Sequence, residues 1–182
     1  MKNLHRYMIA GLALILFFGH TEVQAQKKCK FDFEETDPFS GKVKKGNTST
    51  LVAGMGYSTW YVGWNREGDS FYMGMLVTMQ GEFNTSINQG DSLMFKLADG
   101  NMVTVYAKEN STPVTNVSTA STKPVILSTY RCNYAITKEQ LEMLSASVIT
   151  HVRMNIADKV IQKELKEKKA LKVQNDIKCI LK

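Results

Sequence analysis

The sequence predicts an α+β fold: a mainly antiparallel β-sheet, curved or sandwich-like, with a short helix and a C-terminal amphipathic helix. Three observations predict it. Apolar residues alternate with a period of two over several short runs bounded by turn residues, the pattern of half-buried strands joined as hairpins. Strands and helices do not alternate regularly, which argues against a doubly wound sheet. From about Lys159 the period becomes helical, with Ala170, Val173, Ile177 and Ile180 recurring among lysines.

The first 25 residues read as an address. Lys2 and Arg6 start it, Tyr7 to Gly19 is an unbroken apolar run, and Val23-Gln24-Ala25 supplies a small-residue cleavage site. This is the layout of a secretory signal peptide. The apolar run is shorter than the roughly 20 residues a bilayer span requires, so a retained anchor is the weaker reading. The mature chain is expected to start at Gln26 and to be exported to the periplasm or beyond. No later segment is apolar enough to span a bilayer. Residues 26–182 suit one domain.

The elements follow in order. The acidic run Asp32, Glu34, Glu35, Asp37 reads as an exposed strand leading into a turn at Pro38. "STWYVGW" puts Trp60, Val62 and Trp64 on one side, "NREGD" breaks it, and "SFYMGMLVTM" puts Phe71, Met73, Met75, Val77 and Met79 on one side. Together they predict a hairpin. "SLMFKL" and "MVTVYA" predict a second one around Asp99-Gly100, a pair suited to a tight turn because Gly accepts positive φ freely. Residues 108–124 hold seven Ser or Thr, two prolines and no aromatic residue. They read as a long exposed loop with little apolar area to bury, and disorder is the favoured expectation. "VILSTYRCNYAI" alternates again. Thr137 with Gln140 forms a capping box opening a short helix over "KEQLEML". "SVITHVRMNIA" is a further strand, and the terminal helix closes the chain.

Charge is informative in its placement. Residues 159–182 carry eight lysines and three acids, and the rest of the expected mature chain is neutral. That tail has neither arginine nor aromatic residue, unlike a nucleic-acid surface, so no nucleic-acid partner is expected. A lysine-rich amphipathic helix could lie on an anionic membrane. Phe and Trp are missing from its stripe, which favours packing on the sheet with the lysines in water.

Catalytic signatures are absent. His151 is the one histidine after residue 25, and there is no HExxH, CxxC, GxSxG, P-loop or complete GxGxxG. No cofactor and no metal are expected. A Cys132–His151 dyad is conceivable, because nucleophile and base need only meet in space, but Cys132 reads as a core residue beside Tyr130 and Tyr134. The acidic run lacks the glycine and ligand order of a calcium loop. Trp60, Trp64, Tyr57, Tyr61 and Tyr72 crowd one hairpin. Aromatics on a sheet can stack against a ligand, which makes Trp60 and Trp64 a candidate ligand platform; filling the core is their commoner use.

The stretches "CKFDFEETDPFSGK", "GDSLMFKLADGNMVTVY", "YAITKEQLEMLSASVITHVRM" and "LKVQNDIKCI" together resemble a group of uncharacterised small secreted proteins of Bacteroidota-type bacteria. The resemblance implies export and an α+β fold and implies no chemistry. It also implies a modification: Asp91-Ser92-Leu93 matches the Asp-Ser/Thr-aliphatic pattern that such bacteria O-glycosylate, which marks Ser92.

Two function classes fit. The first is an exported non-enzymatic binding or interaction module of the cell envelope, with an unknown extracytoplasmic ligand or protein as partner. The second is a carboxylate-based hydrolase acting outside the cytoplasm, since Asp and Glu pairs need no histidine.

Cys29 follows Gln26-Lys27-Lys28 rather than the small residues that precede a lipid-modified cysteine. Export places it where disulfides persist, and the expected bond joins Cys29 to Cys179. Cys132 faces the same way as two tyrosines and is the expected leftover thiol. Cys179 lies about 200° around the helix from Ile177, off the apolar stripe. The competing reading is three free thiols. The bond requires Cα atoms within about 7 Å.

Overall fold

A computed structural model of the chain describes residues 29–54, 58–119, 123–156 and 159–182. The signal segment 1–25, the expected start at Gln26 and Tyr57 lie outside the described residues. The strands are β1 (Phe33–Thr36), β2 (Val43–Ala53), β3 (Thr59–Glu67), β4 (Ser70–Gln80), β5 (Ser92–Leu97), β6 (Met102–Ala107), β7 (Val114–Ser118), β8 (Val125–Ala135), β9 (Ile149–Ile156) and β10 (Lys159–Glu164). Helix α1 (Lys138–Ala146) lies between β8 and β9, and α2 (Glu167–Leu181) ends the chain. All described strands join one antiparallel sheet in the order β1-β2-β3-β4-β8-β6-β5-β9-β10, with β7 pairing β8.

Turn chemistry sets the two hairpins. β3 and β4 are joined through Gly68, whose φ is +57°. β5 and β6 are joined through Gly100 at φ +91°, where Asp99 Oδ1 accepts a hydrogen bond from the Asn101 backbone N–H at 2.9 Å. The period-two runs then decide what is buried. Trp60, Val62 and Trp64 of β3 face inward with Met73, Met75 and Val77 of β4. Phe95 of β5 brings its ring to within 6.3 Å of Trp64, centroid to centroid. The Thr137–Gln140 capping box forms in both directions. It starts α1, which buries Leu141 and Leu144.

α2 buries Ala170, Val173, Ile177 and Ile180, the stripe legible in the sequence, and packs against β2, β3, β9 and α1. Its start needs correction: Lys159–Glu164 is β10, paired with β9, and the helix begins at Glu167. The Ser/Thr-rich stretch also needs correction, since Val114–Ser118 is a strand paired with Val125–Thr129. It is mostly exposed, so backbone pairing rather than apolar burial orders it. Just before it, the buried Ser111 donates its hydroxyl to the Arg131 carbonyl at 2.7 Å.

Cys29 and Cys179 form a disulfide with Cα atoms 5.5 Å apart, and Cys132 is a buried free thiol. No helix among the described residues is long and apolar enough to cross a membrane.

Candidate functional site

Strand register brings together outward side chains that lie far apart in sequence, because directly paired residues share a face of the sheet. Three transverse lines matter on the outer face of β2, β3, β4 and β8. The first runs Thr50, Tyr61, Leu76, Arg131; the second Thr48, Gly63, Gly74, Asn133; the third Gly46, Asn65, Tyr72, Ala135. In the middle line two glycines face each other across the central hairpin.

The chain's own geometry does not require glycine at Gly63 or Gly74. Neither has a positive φ. A Cβ on Gly63 would meet Asn65 Nδ2 at 3.5 Å, and one on Gly74 would meet Asn133 Oδ1 at 3.5 Å, both ordinary contacts. Gly46 differs: a Cβ there would come within 3 Å of Phe33 and Asn65, so packing demands it. A glycine inside a strand costs about 0.5–1 kcal/mol relative to alanine. A strand glycine that packing does not require commonly marks a bulge, a bend of the sheet or the close approach of a ligand or another backbone.

Aromatic walls flank this floor. Tyr61 is 37% exposed and Tyr72 42%. Their lines are four residues apart along the strand, about 13 Å at the usual rise. The floor opens into a recess of about 530 Å³ lined by Thr48, Tyr61, Gly63, Gly74, Leu76 and Arg131, with Asn133 at its end. Asn133 also borders a recess of about 310 Å³ with Tyr72, Lys108 and Glu109. Tyr72 and Lys108 in turn border one of about 450 Å³ that reaches Asp69, Thr137 and Glu139 at the start of α1. These shared linings make one elongated groove. Inside it Asn133 Nδ2 donates to Glu109 Oε1 at 2.7 Å, and Lys108 Nζ sits 5.7 Å from the centre of the Tyr72 ring.

The sequence-derived candidates fall as follows. Trp60 and Trp64 are fully buried, so the tryptophan platform is corrected: neither indole can meet a ligand from solvent. Their Nε1 atoms have no hydrogen-bond partner. The exposed aromatics of the same hairpin are Tyr61 and Tyr72 instead. Cys132 faces the core from β8, while His151 lies on β9, and β6 and β5 separate those strands; the dyad is not assembled. Burial pushes the Cys132 thiol up from its ordinary range, as expected of an inert cysteine. In the acidic run, Asp32 accepts the Thr48 backbone N–H at 2.6 Å and Asp37 accepts those of Phe39 and Ser40 at 2.8 Å. Among the described residues, no three His, Cys, Asp or Glu side chains converge as a metal site. Ser92 begins β5, half-buried, with its hydroxyl 3.4 Å from Asn155 Nδ2.

Sequence reasoning missed the glycine floor, although the signal was present. A two-residue turn at Gly68-Asp69 fixes the β3–β4 register, and that register places Gly63 opposite Gly74.

No family model, curated protein or solved structure matches the chain.

Proposed function

We propose that the chain is an exported, non-enzymatic binding module of the cell envelope, and that its ligand lies in the glycine-floored groove. The observation that carries this is the facing pair Gly63 and Gly74 between two exposed tyrosines. The groove mixes ring faces with amides, hydroxyls and charges of both signs, and it is long and shallow. That chemistry suits a glycan chain, whose apolar sugar faces stack on tyrosine while its hydroxyls bond to Asn65, Asn133 and Thr48. Isothermal titration with soluble envelope oligosaccharides tests it. Saturable binding is expected, lost in Gly74→Val without a fall in its unfolding midpoint, and weakened about tenfold in Tyr61→Ala. A panel that gives no binding, or Gly74→Val binding as well as the parent, overturns it. Release of reducing sugar during the titration would favour the carboxylate hydrolase, since Glu109 and Glu139 both border the groove.

Export rests on the signal-peptide layout, the resemblance to secreted Bacteroidota-type proteins and the disulfide. A mass of the host-expressed chain that starts at Gln26 checks it. The same spectrum tests Ser92, whose half-exposed hydroxyl favours modification: a glycan mass lost in Ser92→Ala supports it, and an unmodified native mass refutes it. The proposal includes a sheet curled around its core. β3 and β5 stand four strand steps apart, about 19 Å if the sheet were flat. The 6.3 Å approach of Trp64 to Phe95 supports the curl.

A further inference from the structure

The outer face carries a second recess on the half of the sheet the groove does not reach. Two register lines build it. Met102 pairs with Lys96, Lys96 with His151, and His151 with Glu164. In the neighbouring line Met94 pairs with Arg153, and Arg153 with Gln162. Lys96, His151 and Arg153 therefore stand on one face of β5 and β9. With Met94, Met102 and Gln162 they line a recess of about 130 Å³. No carboxylate lines it; Glu164 of β10, opposite His151, is the nearest acid in register.

The polar groups around this recess are set up to donate. Gln162 Oε1 accepts two bonds from Arg153, from Nε at 3.2 Å and Nη2 at 2.7 Å. Those bonds hold the guanidinium and use the one acceptor that Gln162 has, leaving its amide hydrogens for another partner. Thr150 Oγ1 donates to the Lys96 carbonyl at 3.1 Å, so toward His151 Nδ1, also 3.1 Å away, it can only accept. That assigns the ring hydrogen to Nδ1. The like charges of Lys96 and Arg153 stand one line apart on this face and repel each other. A bound anion offsets that repulsion.

We propose that this recess is an oxyanion subsite that holds one phosphate, sulfate or carboxylate group of a ligand. The guanidinium offers a planar fork and the ammonium a mobile point charge, the usual pairing for such groups. Whole-ligand pockets measure about 300–1,000 Å³, so this one fits a single charged group. The inference goes beyond the groove and shares no residue with it.

The test uses the full exported chain with its disulfide intact, titrated by NMR with sulfate, phosphate and acetate at constant ionic strength. The expected result is saturable binding of at least one of the three, with shifts at Lys96, His151 and Arg153; the tightest names the class. Lys96→Gln and Arg153→Gln should each weaken it at least tenfold. Lys168→Ala on α2, an equal loss of charge elsewhere, should not. Unfolding midpoints confirm that each variant is folded, and Arg153→Lys, which keeps the charge and loses the fork, gives a second reading at that position. Absence of saturation with all three anions overturns the proposal. So does a Lys168→Ala effect as large as that of Lys96→Gln.

Discussion

Gly63 and Gly74 sit where alanine would fit, and Gly46 where it would not, which makes the three a matched experiment. Alanine at Gly63 or Gly74 meets ordinary contacts and removes backbone freedom from the unfolded chain, so each variant should gain about 0.5–1 kcal/mol. Alanine at Gly46 must push aside Phe33 and Asn65 and should lose about 1–3 kcal/mol. Urea unfolding of the three variants reads both signs, and a loss at Gly63 or Gly74 would mean the fold itself needs those glycines. The buried Cys132 gives a chemical check. Desolvation holds its thiol above the ordinary range, so the native protein should resist iodoacetamide at neutral pH and take up one label on unfolding. At this scale alternation in the sequence separated the two sides of each strand. Val62 between Trp60 and Trp64 favoured that side of β3 for the core, and burial agrees; what the opposite side does, with Tyr61 and Gly63, was not legible.

Most strands with an apolar face were legible, but β2 was not, because its inward positions include Asn47 and Ser49 beside Leu51 rather than an apolar run. β3, β4, β5, β6 and β9 alternate cleanly because one side of each enters the core. β10 and β7 bury little; held mainly by backbone pairing, they carry almost no hydrophobic signal, and lysines on β10 suit an edge strand. The α1 cap was fully legible, since its two residues signal each other. Thr137→Ala should cost about 1 kcal/mol. Gln140→Ala should cost more, because Gln140 Nε2 also donates to the Thr104 carbonyl at 2.9 Å and ties α1 to β6; denaturant midpoints rank the two. The turn between β1 and β2 should respond to acid. The backbone N–H groups of Ser40 and Phe39 hold the Asp37 carboxyl below its usual range. A lowered folded pKa contributes stability above the ordinary aspartate range and loses it as pH falls through the lowered value. Protection of the Gly41 amide, whose N–H donates to the Asp37 carbonyl, should therefore fall on acidification relative to its intrinsic exchange rate, and Asp37→Asn should lower it at every pH.

At the scale of the whole molecule, one helix contacts strands from both halves of the sheet. α2 touches β2 and β3 near one edge of the sheet and β9 near the other, so it holds strands that share no hydrogen bond. Polar contacts reinforce the side nearer β1: the Ser49 hydroxyl donates to Asp176, which also pairs with Lys172 at 2.6 Å, and Arg66 reaches the Leu181 carbonyl at 3.4 Å. The disulfide adds the covalent link, joining Cys29 just ahead of β1 to Cys179 on α2 across a sequence separation of 150. Closure of so long a loop restricts the unfolded chain, and the chain-entropy model assigns it about 5 kcal/mol. The Cys29→Ser/Cys179→Ser variant should therefore unfold at markedly lower urea concentration than the parent. The loss should not be uniform. The β3–β4–β8 centre keeps all its pairing, whereas α2 and β1 lose their tether, so hydrogen exchange in the variant should accelerate first at α2 and at residues 32–36. Equal midpoints for variant and parent, or acceleration that begins in β4, would mean that packing of the Ala170–Ile180 stripe alone secures the helix.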